Sequence, residues 1–484
     1  MSQKRTTQSA EEIIARIRSF LGNPAVRVLI GRYRDFKRVH GALEVALGKR
    51  EPRSIGERFD AALFKRILSH AAETFSASFD DIVNAFQDPW YVRGLATVIT
   101  SIARFGVTLP QRLSAPFLVV WNVTKRCNLK CKHCYANASL LGAPDELSFE
   151  DKKRIIDMLD NAGTVAIAFS GGEPLMTPRI LELLEYTART GMQVSIATNG
   201  TLITPELAKR LKEVGVNYVE ISIDSPNPEE HDEFRGVPGA WERAIQGIKY
   251  VKRAGITTGI AYVVTRKSVD HVPEMIDLAR RIGVHTLMFF QFIPTGRGKQ
   301  FRDLEMRPED VERFLNYIYD AWEHGTKPQI LSTNPVYARI SVSKVEKGGK
   351  RITMAHFGAI PNGGRYGAAA LALAEFVGGC GAGRAYFALE HNGDVYPCVF
   401  LPIRVGNILR DGFDKIWFES ELFNAFRDRD SPRHAAHACP YKYVCGGCRA
   451  HAYAVTGDPL GPDPTCLYAR QHGIWDTYMK ARGR

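Results

Sequence analysis

The sequence predicts an α/β protein: a partial (β/α)6 barrel of the TIM type, with an α-helical N-terminal extension and a small cysteine-rich C-terminal domain. Three observations carry this expectation. Six short β-branched runs alternate with six helical patterns between residues 116 and 325, and such alternation needs crossovers, hence a parallel sheet. Residues 1–115 show only helical periodicity, and six of the nine cysteines follow residue 377. At 484 residues the chain exceeds what one typical core organises.

In the extension, residues 1–115, Ile13, Ile14, Ile17 and Leu21 recur at helical spacing, as do Phe59, Leu63 and Ile67. This segment holds 18 Lys and Arg against 11 Asp and Glu, out of a chain net charge of +12. Such an excess suits nucleic acid, an anionic membrane surface or an acidic substrate, and equally a solvated face; no nucleic-acid partner is expected. Trp90–Val107 sets Leu95, Val98, Ile99, Ile102 and Phe105 on one face, with Arg93 and Arg104 near its ends. That stripe is expected to pack on the next domain, and peripheral membrane contact is the alternative. No apolar stretch follows the basic residues at the start, and nowhere do eighteen apolar residues run uncharged, so neither a signal peptide nor a spanning helix is expected. With an odd cysteine count, this points to a reducing cytoplasmic setting and to metal ligation in place of disulfides.

The expected core spans 116–325, with strands at Phe117–Thr124, Thr164–Ser170, Gln193–Thr198, Tyr218–Asp224, Thr258–Thr265 and Thr286–Pro294. Helical patterns lie between and after them, near Phe149–Asn161, Arg179–Thr190, Glu206–Val214, Ala240–Ala254, Val272–Ile282 and Pro308–Trp322. Parallel sheets of this kind gather their chemistry at the C-terminal strand ends, and the motifs fall there. The first strand runs into Cys127, Cys131 and Cys134, followed by Tyr135. Three thiolates so spaced can wrap one corner of a cubane cluster; a zinc ion with His133 as fourth ligand is the alternative. The second strand ends in Gly171-Gly172-Glu173, the third in Thr198-Asn199-Gly200, and the fourth carries Ser222 and Asp224 before Arg235. A strand-end Ser or Asp often only caps a helix, so the weight lies in all four standing in register.

This CxxxCxxC loop with its GGE and TNG turns resembles the radical S-adenosylmethionine (SAM) superfamily over roughly 115–325. The resemblance implies a 4Fe–4S cluster on Cys127, Cys131 and Cys134 with one iron left for SAM. It also implies a SAM site made by Gly171, Gly172, Glu173, Asn199, Ser222, Asp224 and Arg235. A low-potential electron donor of the ferredoxin or flavodoxin class is implied as partner.

Residues 326–376 lose periodicity and turn Gly-rich and basic, and are expected to be a linker or a substrate-facing insertion. From 377 to 484 the pattern of Cys380, Cys398, Cys439, Cys445, Cys448 and Cys466 resembles the SPASM auxiliary-cluster module, although Ala436 stands where its usual first cysteine of the CxxC pair falls. One or two auxiliary clusters are implied. The favoured set is Cys439, Cys445, Cys448 and Cys466, with Cys380 and Cys398 in a second site; a structural zinc pair is the alternative. The stretch Cys445–Cys466 most resembles the branch that makes heme b and heme d1, which suggests a tetrapyrrole carboxylate as substrate. Arg339, Lys350, Arg351 and Arg365 are candidates to pair with its propionates, and His356 or Tyr337 to approach the macrocycle. A peptide substrate, a lipid or quinone substrate, and a purely electron-carrying protein are the competing readings.

Overall fold

The computed structural model describes residues 30–483 apart from 75–77, 326, 348, 350, 355–357 and 362–366. Seven strands run parallel in sequence order: β1 (Leu118–Thr124), β2 (Ala166–Gly171), β3 (Gln193–Thr198), β4 (Tyr218–Ser222), β5 (Thr257–Val264), β6 (Thr286–Gln291) and β7 (Gln329–Ser332). The α/β class and the parallel sheet hold. The sheet extends one strand beyond the six expected, because β7 pairs with β6 inside the stretch expected to be a linker. That stretch also holds a hairpin of β8 (Arg351–Met354) and β9 (Gly358–Pro361), flanked by helices Val336–Glu346 and Gly367–Val377. At the other edge, β10 (Tyr386–Leu389) pairs parallel with β1, and β11 (Asp394–Tyr396) and β12 (Gly406–Asn407) continue antiparallel. The cysteine-rich C-terminal segment is therefore hydrogen-bonded into the sheet of the core.

Alternation along the strands decides the curvature. Val119, Trp121, Ile167, Phe169, Val194, Val219, Ile221, Ile260, Leu287 and Phe289 are buried on the outer face under the crossover helices. Their neighbours Val120, Ala168, Ser195, Ala197, Glu220, Ser222, Ala261, Val263, Met288 and Phe290 line one shared cavity. Six strands can face a single cavity only if the sheet wraps around it, and the small inward residues leave the lumen open.

Among the described residues four helices precede the sheet: α1 (Phe36–Ala46), α2 (Ile55–Thr74), α3 (Phe79–Ala85) and α4 (Pro89–Phe105). Val39, Leu43, Ala61, Phe64, Val92 and Ala96 form their own core. Sequence sets their starts, with Asp35 capping α1, a Ser78–Asp81 capping box on α3, and Pro89 opening α4. Helix α4 packs on the barrel. Buried Arg93 donates to the Thr164 carbonyl at 2.9 and 3.0 Å, to Thr190 O at 3.0 Å and to Asp160 Oδ1 at 2.8 Å, while Thr97 Oγ1 donates to Gly163 O at 2.7 Å. Thr164 and Thr190 precede β2 and β3, so the helical unit sits at the N-terminal end of the sheet, opposite the cysteine loop. Gly163 has φ +94°, and a Cβ there would lie 2.5 Å from the Phe36 ring, so only glycine both ends the preceding helix and seats α1. Among the described residues no helix is long and apolar enough to cross a membrane.

Candidate active site

The loop after β1 folds back on itself through Cys127 N–H to Ser139 O at 2.8 Å, and is clipped to the helix Pro228–Arg235 by Lys130 N–H to Arg235 O and Lys132 N–H to Phe234 O. Cys127, Cys131 and Cys134 all line the lumen. Each sulfur faces a donor: Leu129 N–H to Cys127 and Ala138 N–H to Cys134, both at 3.4 Å, and Arg235 Nη1 to Cys131 at 3.7 Å. Burial pushes the Cys127 thiol up to about 12, so as a free thiol it would stay protonated. Donors aimed at sulfur instead suit thiolates held by a metal group. Among the described residues no three Cys, His, Asp or Glu side chains close on one point. The thiols are spread around a cavity, the arrangement in which separate corners of a cubane would be ligated.

The end of β2 lies directly on this loop. A Cβ on Gly172 would stand 2.3 Å from Arg126 O, and one on Gly171, where φ is +115°, 2.5 Å from Thr124 O. Both glycines line the lumen. Glu173 does not: it is fully buried, and its carboxylate accepts from Thr198 Oγ1 at 2.7 Å, Asn199 N–H at 2.9 Å and Leu175 N–H at 3.1 Å. It ties the ends of β2 and β3 together, and its side chain stands behind the lumen wall. Asn199 and Ser222 face the cavity, with Asn199 Nδ2 donating to Asn128 at 2.8 Å. Asp224 lies behind Arg235 and accepts from its Nε at 2.6 Å and from Val263 N–H at 3.0 Å. Burial raises the Asp224 carboxyl, but Arg235, His133 and His231 together hold it below the usual range. Asp224 thus aims Arg235, and Arg235 carries the positive charge into the cavity, whose volume is about 390 Å³.

Residues not anticipated from sequence also shape the lumen. The Tyr135 hydroxyl bridges Asn122 Oδ1 and Ser170 Oγ, each at 3.0 Å. Below, Tyr218 pairs with Thr286 at 2.7 Å and donates to Glu220 at 3.2 Å, and burial pushes the Glu220 carboxyl from 4.5 to about 7. Inward alternation along β4 was the available signal for Glu220.

The C-terminal cysteines stand in two neighbourhoods, and Cys448 lies apart from the other members of the expected set. Cys448 shares a small cavity with Cys380 and Cys398, beside the lumen. Cys439, Cys445 and Cys466 instead influence one another and Arg339. The short Gly446-Gly447 turn, with both residues at positive φ, sends Cys445 and Cys448 to different sides. Arg339 is buried, pairs with Glu312 and lies over the Tyr468 ring at 5.9 Å, and Tyr337 is fully buried. Neither lines the lumen. Lys350, His356 and Arg365 lie outside the described residues, as does the Arg351 side chain.

Residues 121–279 match the family model of the radical SAM superfamily, and residues 380–449 match that of an iron–sulfur cluster-binding domain, SPASM. The chain is 36% identical over 351 residues to the AdoMet-dependent heme synthase of Nitratidesulfovibrio vulgaris, covering 72% of this chain and 92% of the relative. The chain belongs to the radical SAM superfamily. This radical SAM enzyme is also 33% identical to the mycofactocin maturase of Mycolicibacterium smegmatis, over 77% of its own length and 88% of the maturase. Its fold is that of Streptococcus suis SuiB, crystallised with S-adenosylmethionine, at TM-score 0.58 and 17% identity over 85% and 90% of the two chains.

The family brings a SAM-binding 4Fe–4S cluster and auxiliary iron–sulfur clusters, and the charges of this radical SAM enzyme fit them. Arg384, Arg429 and Arg449 are buried around the C-terminal cysteines and donate to backbone carbonyls, among them Cys380 O from Arg429 at 2.9 Å and Gly461 O from Arg449 at 3.0 Å. None of the three is ion-paired with a carboxylate among the described residues. Burial pulls Arg384 down to about 9 and Arg429 to about 10, while negative charge on Cys380 would restore both. Buried cations without counter-charge are costly, and anionic thiolate-bound clusters would supply it.

Proposed function

We propose that this enzyme oxidatively decarboxylates propionate side chains of an iron-bearing tetrapyrrole. The supporting observation is the match to AdoMet-dependent heme synthases, 36% identical over 351 residues and covering 92% of the relative's length. Cys127, Cys131 and Cys134 would hold the SAM-binding cluster, and Gly171, Gly172, Asn199 and Ser222 would line the bound SAM. Arg235, aimed by Asp224, would meet the SAM carboxylate. When bound, cluster and SAM supply a 5′-deoxyadenosyl radical that abstracts hydrogen from a substrate carbon, and a reductant of the ferredoxin or flavodoxin class supplies the electron. Cys380, Cys398 and Cys448 would hold one auxiliary cluster and Cys439, Cys445 and Cys466 another. A cavity of about 390 Å³ suits SAM and one propionate arm, leaving the macrocycle at the mouth. The apolar wall of Val120, Met288, Phe290, Val399 and Phe400 would keep water from the radical.

Anaerobically reconstituted enzyme incubated with iron-coproporphyrin, SAM and dithionite should yield product lighter by the mass of CO2 plus two hydrogens for each propionate converted to a vinyl group, and changing Cys127, Cys131 and Cys134 to Ala should abolish it. The likeness to mycofactocin maturase supports a second reading, modification of a peptide. If SAM is cleaved while the tetrapyrrole neither binds nor changes, the peptide reading replaces the first.

A further inference from the structure

We propose that Tyr386 sets the redox behaviour of the site at Cys380, Cys398 and Cys448, standing in the wall between that site and the lumen and hydrogen-bonding the Cys398 sulfur. The inference rests on the decarboxylation reading. The lumen and the small cysteine-lined cavity meet at one wall, and Thr333, Tyr386 and Phe400 line both. Tyr386 opens β10 and is fixed there by pairing: it stands across from Leu118 of β1, its N–H donates to Gly381 O at 3.0 Å, and its carbonyl accepts from Gly383 N–H at 2.9 Å. Gly381 leaves the space its ring fills, since a Cβ there would lie 2.9 Å from Tyr386 Cδ1. The buried hydroxyl is hydrogen-bonded with Cys398, and Cys380 and Cys448 are close by. Phe400 closes the rest of the wall, its ring edge-on to Tyr135 at 5.2 Å and its N–H donating to Cys398 Sγ at 3.4 Å. Since Tyr135 follows Cys134, the two cysteine sites are joined through packed aromatic side chains.

The chemistry gives this wall a task. A propionate radical R–CH•–CH2–COO− becomes R–CH=CH2 by breaking the bond to the carboxyl carbon, which releases CO2 and one electron. A one-electron acceptor of the iron–sulfur class, on the far side of Tyr386 from the substrate arm, balances the reaction. Hydrogen bonds to cluster sulfurs help set the potential; a donor at Cys398 favours the more negative, reduced state and so raises it.

The test is an EPR-monitored redox titration of full-length reconstituted protein in the Cys127→Ala, Cys131→Ala, Cys134→Ala background, which isolates the C-terminal sites and needs no substrate. Tyr386→Phe should leave iron and sulfide content unchanged and lower one midpoint, shifting its reduced-to-oxidised ratio about tenfold, or ~59 mV for one electron, with any second midpoint unmoved. Phe400→Leu changes the same wall without removing the hydroxyl and should leave the midpoints in place. The proposal is overturned if Tyr386→Phe moves no midpoint, if Phe400→Leu moves one equally, or if loss of the hydroxyl alone strips iron, which would make it a ligand. Failure of the decarboxylation reading would appear separately, in the mass of the tetrapyrrole product.

Discussion

Asp224 and Arg235 show how a buried pair can serve binding without either group reacting. The carboxylate holds the guanidinium at 2.6 Å and leaves its Nη1 toward Cys131 at 3.7 Å. Asp224→Asn keeps the shape and removes the charge, so SAM affinity should fall about tenfold, equal to 1.4 kcal/mol, with iron content unchanged; equilibrium binding of SAM under anaerobic conditions measures it. Glu220 makes the opposite case. Its surface faces the cavity, and its carboxyl titrates near 7 in the folded chain against 4.5 ordinarily. Between those values the unfolded chain has lost the proton that the folded chain keeps, so stability declines as pH rises through the window and levels off above it. Urea unfolding at pH 4.5 and pH 8 should therefore show a loss on the order of 2 kcal/mol in the wild type that is absent in Glu220→Gln. Equal slopes for the two proteins would remove Glu220 as the titrating group.

At the scale of elements, helix α4 depends on one arginine. Arg93 satisfies carbonyls that precede β2 and β3 and pairs with Asp160, all from within a helix whose other face holds Val92 and Ala96 in the N-terminal core. Arg93→Ala leaves those carbonyls unpaired in a buried seam, which should cost about 3 kcal/mol and expose the 106–116 connection to protease, seen as a shifted calorimetric transition and a new cleavage product. Of the amphipathic stripe read from sequence, Leu95 and Ile99 pack on the N-terminal helical core and Phe105 meets the Phe418 ring, while Arg93 and Thr97 make the barrel contact; the wild type should not float with anionic liposomes. Much of the core was legible because strand, loop and helix signals are local: the cysteine loop, the Gly171-Gly172 turn and the Asn199 turn each lie in a few consecutive residues. What stayed illegible depends on distance. Strand β7 is only Gln-Ile-Leu-Ser, and its pairing with β6 supplies what its sequence lacks. Glu173 and Arg93 take their roles from partners 25 or more residues away, and Tyr386 takes its role from Cys398, which lies beyond the next strand. Arg339 reads as an exposed cation, whereas burial beside Glu312 makes it a counter-charge for Cys445 and Cys466.

Across the whole molecule the cysteines fall into three groups: one on the loop after β1, one beyond the wall made by Tyr386 and Phe400, and one beside Arg339. Spacing alone favoured a single four-cysteine site in the last module, because Cys439, Cys445, Cys448 and Cys466 are near in sequence. The Gly446-Gly447 turn separates Cys448 from that group and gives it to Cys380 and Cys398, which the pairing of β10 with β1 brings to the lumen wall. The division is countable. With Cys127, Cys131 and Cys134 changed to Ala, two three-cysteine sites should retain about eight irons per chain, and a single four-cysteine site about four. Adding Cys398→Ala or Cys448→Ala should remove the same spectroscopic component, and adding Cys445→Ala or Cys466→Ala should remove the other. If Cys448→Ala and Cys445→Ala erase one common signal while Cys398→Ala leaves it intact, the sulfurs are grouped as sequence spacing suggested, and Tyr386 no longer faces a redox site.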